Sequence, residues 1–127
     1  MLTIFDKLLF GSLLLALFQL PIFATQYGQY LNGYYEATAT EVEGYEQTAK
    51  RNNYPSVQAL IDAHLLNTSP SVRDDALQKQ ETLKRYTLLA RGNQVFATES
   101  LVNQALFMAS PSGWPMAAQV IKRFKPG

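Results

Sequence analysis

Residues 8–24 read LLFGSLLLALFQLPIFA, with no charge among them and Gln19 as the most polar member. As a helix these 17 residues extend about 25 Å, slightly short of the roughly 30 Å hydrocarbon core of a bilayer. Residues 1–7, with Leu2, Ile4 and Phe5, bring the segment to spanning length, and Asp6 and Lys7 reach headgroups by snorkelling. Pro21 is tolerable in a membrane helix where neighbours or a kink satisfy the freed carbonyl. Just beyond stand Tyr27, Tyr30, Tyr34 and Tyr35, candidate membrane-interface residues, because tyrosine favours the layer where its ring is dry and its hydroxyl wet.

Two other readings stay open. One is a cleaved signal peptide with its apolar region at 8–18 and a cut after Ala24, although Asp6 offsets Lys7 and Ile22 is large for the position it would occupy. The other is a buried helix of a soluble protein. Hydrophobic length and the tyrosines favour a retained anchor. Lys7 precedes the span and no Lys or Arg follows before Lys50, so the positive-inside rule expects a cytoplasmic N-terminus and a periplasmic body at a bacterial inner membrane.

The 127 residues leave room for one extramembrane domain. A formal charge of +1 with dispersed basic residues argues against a nucleic-acid partner. With no Cys, disulfides, thiolate chemistry and Cys-based metal sites are excluded.

Along the chain the periodicity predicts helices. Over 26–51, Tyr27, Leu31, Tyr34, Thr38, Val42, Tyr45 and Ala49 fall at steps of three or four, a stripe of coiled-coil-like spacing. This helix and the anchor are expected as one rod with Pro21 as its bend. Asn52-Asn53-Tyr54-Pro55 breaks it. A short helix follows at 56–66, then a third from Pro70 to about Arg91 with Ser69 as N-cap, ended or bent at Gly92-Asn93. Helical pattern resumes at Val95 and runs to Met108. Ser110-Pro111-Ser112-Gly113-Trp114-Pro115 is a turn, and a last amphipathic helix spans 115–124. Glu36, Glu41, Glu43 and Glu46 oppose Lys79, Lys84, Arg85 and Arg91 if the two long helices pair antiparallel, so interhelical ion pairs are expected to set their register.

The search for chemistry is mostly negative. His64 is the single histidine, in Asp62-Ala63-His64, and metal sites normally draw on clusters of ligands. Glu41-x-Glu43 and Asp74-Asp75 are too close in sequence to face each other on a helix. No phosphate loop, nucleophile elbow or zinc motif appears. The expectation is therefore no enzyme, no metal and no cofactor. An enzyme using Asp62 and His64 would need a pocket that short helices hardly provide.

Gln19-Leu20-Pro21, Gln26-Tyr27, Gln29-Tyr30-Leu31-x-Gly33, Ser56-Val57, His64, Lys84-Arg85-Tyr86-x-Leu88 and the closing Phe124-Lys125-Pro126-Gly127 give the chain its resemblance to a bacterial membrane family, domain of unknown function 2937. The resemblance covers nearly the whole chain and contains no catalytic motif. It implies an N-terminal membrane helix, a helical extramembrane hairpin and a second membrane helix after Lys125-Pro126-Gly127. It brings no known activity and no functional residues.

The expected fold is all-α: a transmembrane anchor at 1–25, an antiparallel helical hairpin or small bundle at 26–110, and a short amphipathic helix at 111–127. The expected function is that of a non-enzymatic accessory or scaffold. Its partners are membrane lipid and either another membrane protein or a second copy of itself. The alternative is a secreted or periplasmic soluble helical binding protein released by signal cleavage.

Overall fold

The computed structural model describes residues 3–127. Met1 and Leu2, part of the expected anchor, lie outside the described residues. Among the described residues there are five helices and no strand: α1 Ile4–Arg51, α2 Val57–Leu65, α3 Pro70–Thr98, α4 Leu101–Ala109 and α5 Trp114–Arg123. The all-helical expectation holds, and the long N-terminal helix packs against later ones.

α1 is one helix of 48 residues with Pro21 inside it. Its start is a reciprocal cap, in which Thr3 Oγ1 accepts from the Asp6 N–H at 3.2 Å and Asp6 Oδ2 accepts from the Thr3 N–H at 3.1 Å. Its end does not wait for Pro55. Asn53 takes a positive φ of 64°, and the Tyr54 N–H donates to the Ala49 carbonyl at 2.9 Å while the Asn53 N–H donates to that of Lys50 at 3.2 Å. That is a Schellman closure with Asn where Gly is more usual.

Close contacts group the chain into two compact units, residues up to Leu31 with Gly92–Gly127, and Asn32–Arg91. In the second unit the Tyr35 and Tyr86 rings stack 5.5 Å apart, Arg85 lies 5.5 Å over the Tyr34 ring and Lys79 lies 5.3 Å over that of Tyr45. Numbers rise along α1 as they fall along α3, so the pair is antiparallel. A side-chain hydrogen bond with Tyr35 raises the Tyr86 phenol above its ordinary value.

The expected interhelical ion pairs are corrected by this arrangement. Among the described residues, Lys79 pairs with Asp75 and Lys84 with Glu81, both within α3. Tyr34, Thr38, Val42 and Tyr45 carry the seam, whereas Glu36, Glu41, Glu43 and Glu46 stand exposed beside it. The cations of α3 therefore meet aromatic faces, contacts worth as much as an exposed ion pair.

α2 closes this unit. Ser56 caps it by accepting from the Ala59 N–H at 3.0 Å, and Val57 and Ile61 bury against Ala76, with Tyr45, Leu65 and Leu83 packed around them. Gly33 and Gly44 lie inside α1, and a β-carbon at either would meet nothing within 4 Å. Replacing each by Ala is expected to raise the unfolding free energy by about 0.5–1 kcal/mol, because glycine in a helix loses more backbone freedom on folding. Denaturant titration of the two single variants in detergent micelles checks this.

α3 corrects the expected break at Gly92-Asn93 and continues to Thr98. The missing side chain at Gly92 serves packing: a β-carbon there would sit 2.6 Å from the Phe107 Cζ and 3.2 Å from the Leu31 Cδ2. The extra turn carries Phe96 onto Tyr27. The real break falls at Glu99-Ser100, where the Ser100 hydroxyl accepts from the Asn103 N–H at 3.4 Å and starts α4.

Candidate functional site

The chain's closing residues are held along α1 by two glutamines one heptad apart. Gln26 uses both ends of its amide on one tail residue: Nε2 donates to the Lys125 carbonyl at 2.7 Å and Oε1 accepts from the Lys125 N–H at 3.1 Å. Gln19 does the same for Gly127, donating at 3.4 Å and accepting at 3.1 Å. Between them the Phe23 and Phe124 rings meet edge to face at 5.4 Å and 66°. Phe124 ends α5 in an extended conformation, φ −64° and ψ 131°, so alternate tail residues turn the same backbone edge toward α1. Each amide offers one donor and one acceptor in a plane, the pairing that a neighbouring strand would provide.

Beneath the tail lies a buried aromatic cluster. Tyr27 is fully buried, its ring stacks on Phe96 at 4.9 Å and meets Phe107 edge-on at 6.3 Å, and its hydroxyl donates to the Gly113 carbonyl at 2.9 Å. Burial raises its phenol well above the ordinary value. Ser110 shapes the turn there: its hydroxyl donates to the Phe107 carbonyl at 2.6 Å and accepts from the Gly113 N–H at 3.1 Å. Beside the tail, a groove of about 520 Å³ is lined by Gln26, Gln29, Tyr30, Val120, Arg123 and Lys125, with the Arg123 guanidinium 5.8 Å over the Tyr30 ring. The site offers amides, aromatic faces and cations, a set suited to holding peptide backbone or anions.

Of the four candidate interface tyrosines, Tyr27 is thus enclosed by protein. Tyr30 is half-buried under Arg123, while Tyr34 and Tyr35 lie in the other unit against Arg85 and Tyr86. His64 stands edge-on to Tyr54 at 6.0 Å, and the Asp62 carboxylate accepts from Gln58 at 2.9 Å. Among the described residues no group of three or more His, Asp and Glu side chains gathers as a metal site would require. Sequence reasoning missed Gln19 and Gln26. The available signal was Gln19 itself, because an amide in an apolar run must find a partner.

Replacing Gln26 by Leu is expected to speed amide exchange at Lys125 while moving global stability by no more than about 1 kcal/mol, since both bonds lie at the surface. Hydrogen exchange with mass spectrometry, read beside a denaturation curve, checks both halves.

A family profile described as "Protein of unknown function (DUF2937)" matches residues 1–127. No curated protein and no solved structure matches the chain.

Proposed function

The chain belongs to the DUF2937 family, and from there we propose a small membrane-anchored accessory protein that works through helical contacts and carries out no chemistry of its own. One observation carries the reading. The most apolar 18-residue window of α1 is 6% buried, with Phe5, Leu8, Phe10, Leu15 and Phe18 among the exposed side chains. A core helix of a soluble fold would be mostly enclosed, whereas surface of this kind needs a lipid or protein cover. Residues 1–25 are then the anchor. Retention of this segment is supported by Gln19 and Phe23, which lie before Ala24 and hold the tail. The absence of catalysis is supported by the engagement of Asp62 and His64 with different neighbours.

The N-terminus then faces the cytoplasm and the body the periplasm at a bacterial inner membrane. Lys7 is the basic residue nearest the span in sequence. Lys122, Arg123 and Lys125 come near its far end only through folding, and long segments translocate largely regardless of their charge. The partners are lipid and a second membrane protein or another copy of this chain.

The test is the intact mass of protein recovered from fractionated cells. A species near 14.2 kDa in alkali-washed membranes is the expected result. A soluble species about two dozen residues shorter would replace this reading with a secreted or periplasmic binding protein released by signal cleavage.

A further inference from the structure

We propose that α5, with the outward side of α4, is a membrane-surface contact that docks on anionic lipid headgroups. The proposal rests on the anchored reading and adds to it a second, peripheral attachment.

α5 has two apolar sides. Met116, Ala117 and Val120 are buried against the rest of its unit. Trp114 and Ile121 point the other way, each 54% exposed. Ala118 lies between them, at steps of four and three, Lys122 follows Ile121 on the helix, and Lys125 stands exposed just beyond its end. α4 adds Val102 and Leu106, 68% and 64% exposed. A core-facing stripe explains the first set and leaves the second unexplained. Tryptophan and aliphatic side chains on one face, edged by lysines, are the composition of a helix that lies in the bilayer interface.

The tail gives this face its depth. Gln19 and Gln26 bracket the end of the apolar run at Ala24, and they hold Gly127 and Lys125 respectively. Seven residues of helix rise about 10 Å, comparable with the headgroup layer between hydrocarbon and water. The end of α5 is therefore tied at the level where an anchored α1 leaves the hydrocarbon. Gln19 also gives the Gly127 N–H and carbonyl their partners at that level.

Charge selects the occupant. Lys122 and Lys125 are exposed, and among the described residues neither forms an ion pair with a carboxylate. A second copy docking face to face would bring this basic edge against itself. Anionic headgroups complement it, and each Lys near such a surface shifts the docking equilibrium about fivefold.

Trp114 is the single tryptophan of the chain, so it reports on this face alone. The experiment places the full-length protein in phosphatidylcholine vesicles and in mixed phosphatidylcholine–phosphatidylglycerol vesicles. It reads Trp114 quenching by a headgroup-level spin-labelled lipid and by acrylamide, and flotation of the same samples. The expected result is shielding from acrylamide and strong lipid-borne quenching, both greater with phosphatidylglycerol. Reversing two exposed charges together, Lys122→Glu with Lys125→Glu, removes the phosphatidylglycerol-dependent part and leaves flotation intact. Lys122→Gln with Lys125→Gln removes part of it.

Trp114 open to acrylamide in both vesicle types, in protein that floats, overturns the inference and leaves the anchor standing. Protein that does not float overturns both. Shielding that grows with protein concentration in detergent, without lipid-borne quenching, overturns the lipid surface in favour of a second copy.

Discussion

Replacing Tyr27 by Ala is expected to lower the unfolding free energy by about 3–5 kcal/mol, the cost of emptying a buried aromatic site. Three contacts are lost together: the stack on Phe96, the edge contact with Phe107, and the hydroxyl's bond to the Gly113 carbonyl. Tyr27→Phe separates them. It keeps both ring contacts and removes only the hydroxyl's bond to the Gly113 carbonyl, which still accepts from the Ala117 N–H at 3.1 Å, a loss of about 0.5–1.5 kcal/mol. Tyr30→Ala, on a half-buried ring under Arg123, is expected to cost less than Tyr27→Ala. Chemical denaturation of the three variants in detergent micelles ranks them, and a Tyr27→Ala variant as stable as Tyr30→Ala would contradict the packing described. An alkaline signature accompanies the ranking. Burial raises the Tyr27 phenol above 10.0, its ordinary value. The neutral form is therefore favoured in the fold, and its contribution is present below pH 10 and lost as pH rises further. Tyr27→Phe should flatten the fall in stability above pH 10.

What sequence could show of this fold followed the reach of each signal. The stripe of Tyr27, Leu31, Thr38, Val42 and Ala49 is buried in the structure, because a 3.6-residue period needs nothing beyond the helix that carries it. The short helix expected at 56–66 forms as α2 with Ser56 as its cap for the same local reason, whereas the pattern from Val95 to Met108 runs through the break at Ser100, which caps α4. Gly92 was unreadable. A glycine near polar residues signals a stop, and only the approach of Phe107, fifteen residues on, makes it a packing position instead. The glutamates of α1 misled in the opposite way: charge counts along two helices do not say which residues occupy the seam, and tyrosines hold it.

The tail clamp was the least legible feature. Gln26 meets a partner 99 residues away and Gln19 one 108 away, and no local pattern announces a contact of that range. Residue type and position group Tyr27, Tyr30, Tyr34 and Tyr35 as candidate membrane-interface residues, although the structure gives them different tasks. Tyr27 fills a core, Tyr30 lies under a cation beside the tail, and Tyr35 stacks on Tyr86. Residue type sets what a side chain can do, and its neighbours in space select which of those things it does.

Gly113→Ala is the second large expected effect, and its cause differs from the usual glycine argument. Gly113 has φ −90° and ψ −21°, a conformation open to any residue, so backbone strain plays no part. Space decides. A β-carbon here would run into the Phe107 carbonyl, with the carbonyl carbon at 2.9 Å and the Tyr27 hydroxyl at 3.0 Å. At Gly92 the obstacles are the ends of the Phe107 and Leu31 side chains, which can shift. At Gly113 the obstacle is backbone, pinned by the Ser110 hydroxyl and the Tyr27 bond. Relief therefore requires moving the start of α5. The expected loss is at or above the upper end of the roughly 1–3 kcal/mol of ordinary overpacking, and Gly92→Ala should cost less. Because α5 carries the tail, Gly113→Ala should also speed amide exchange at Lys125, as Gln26→Leu does, but together with a fall in global stability that Gln26→Leu lacks. A Gly113→Ala protein of unchanged stability would mean that the turn between α4 and α5 has more room than these contacts allow.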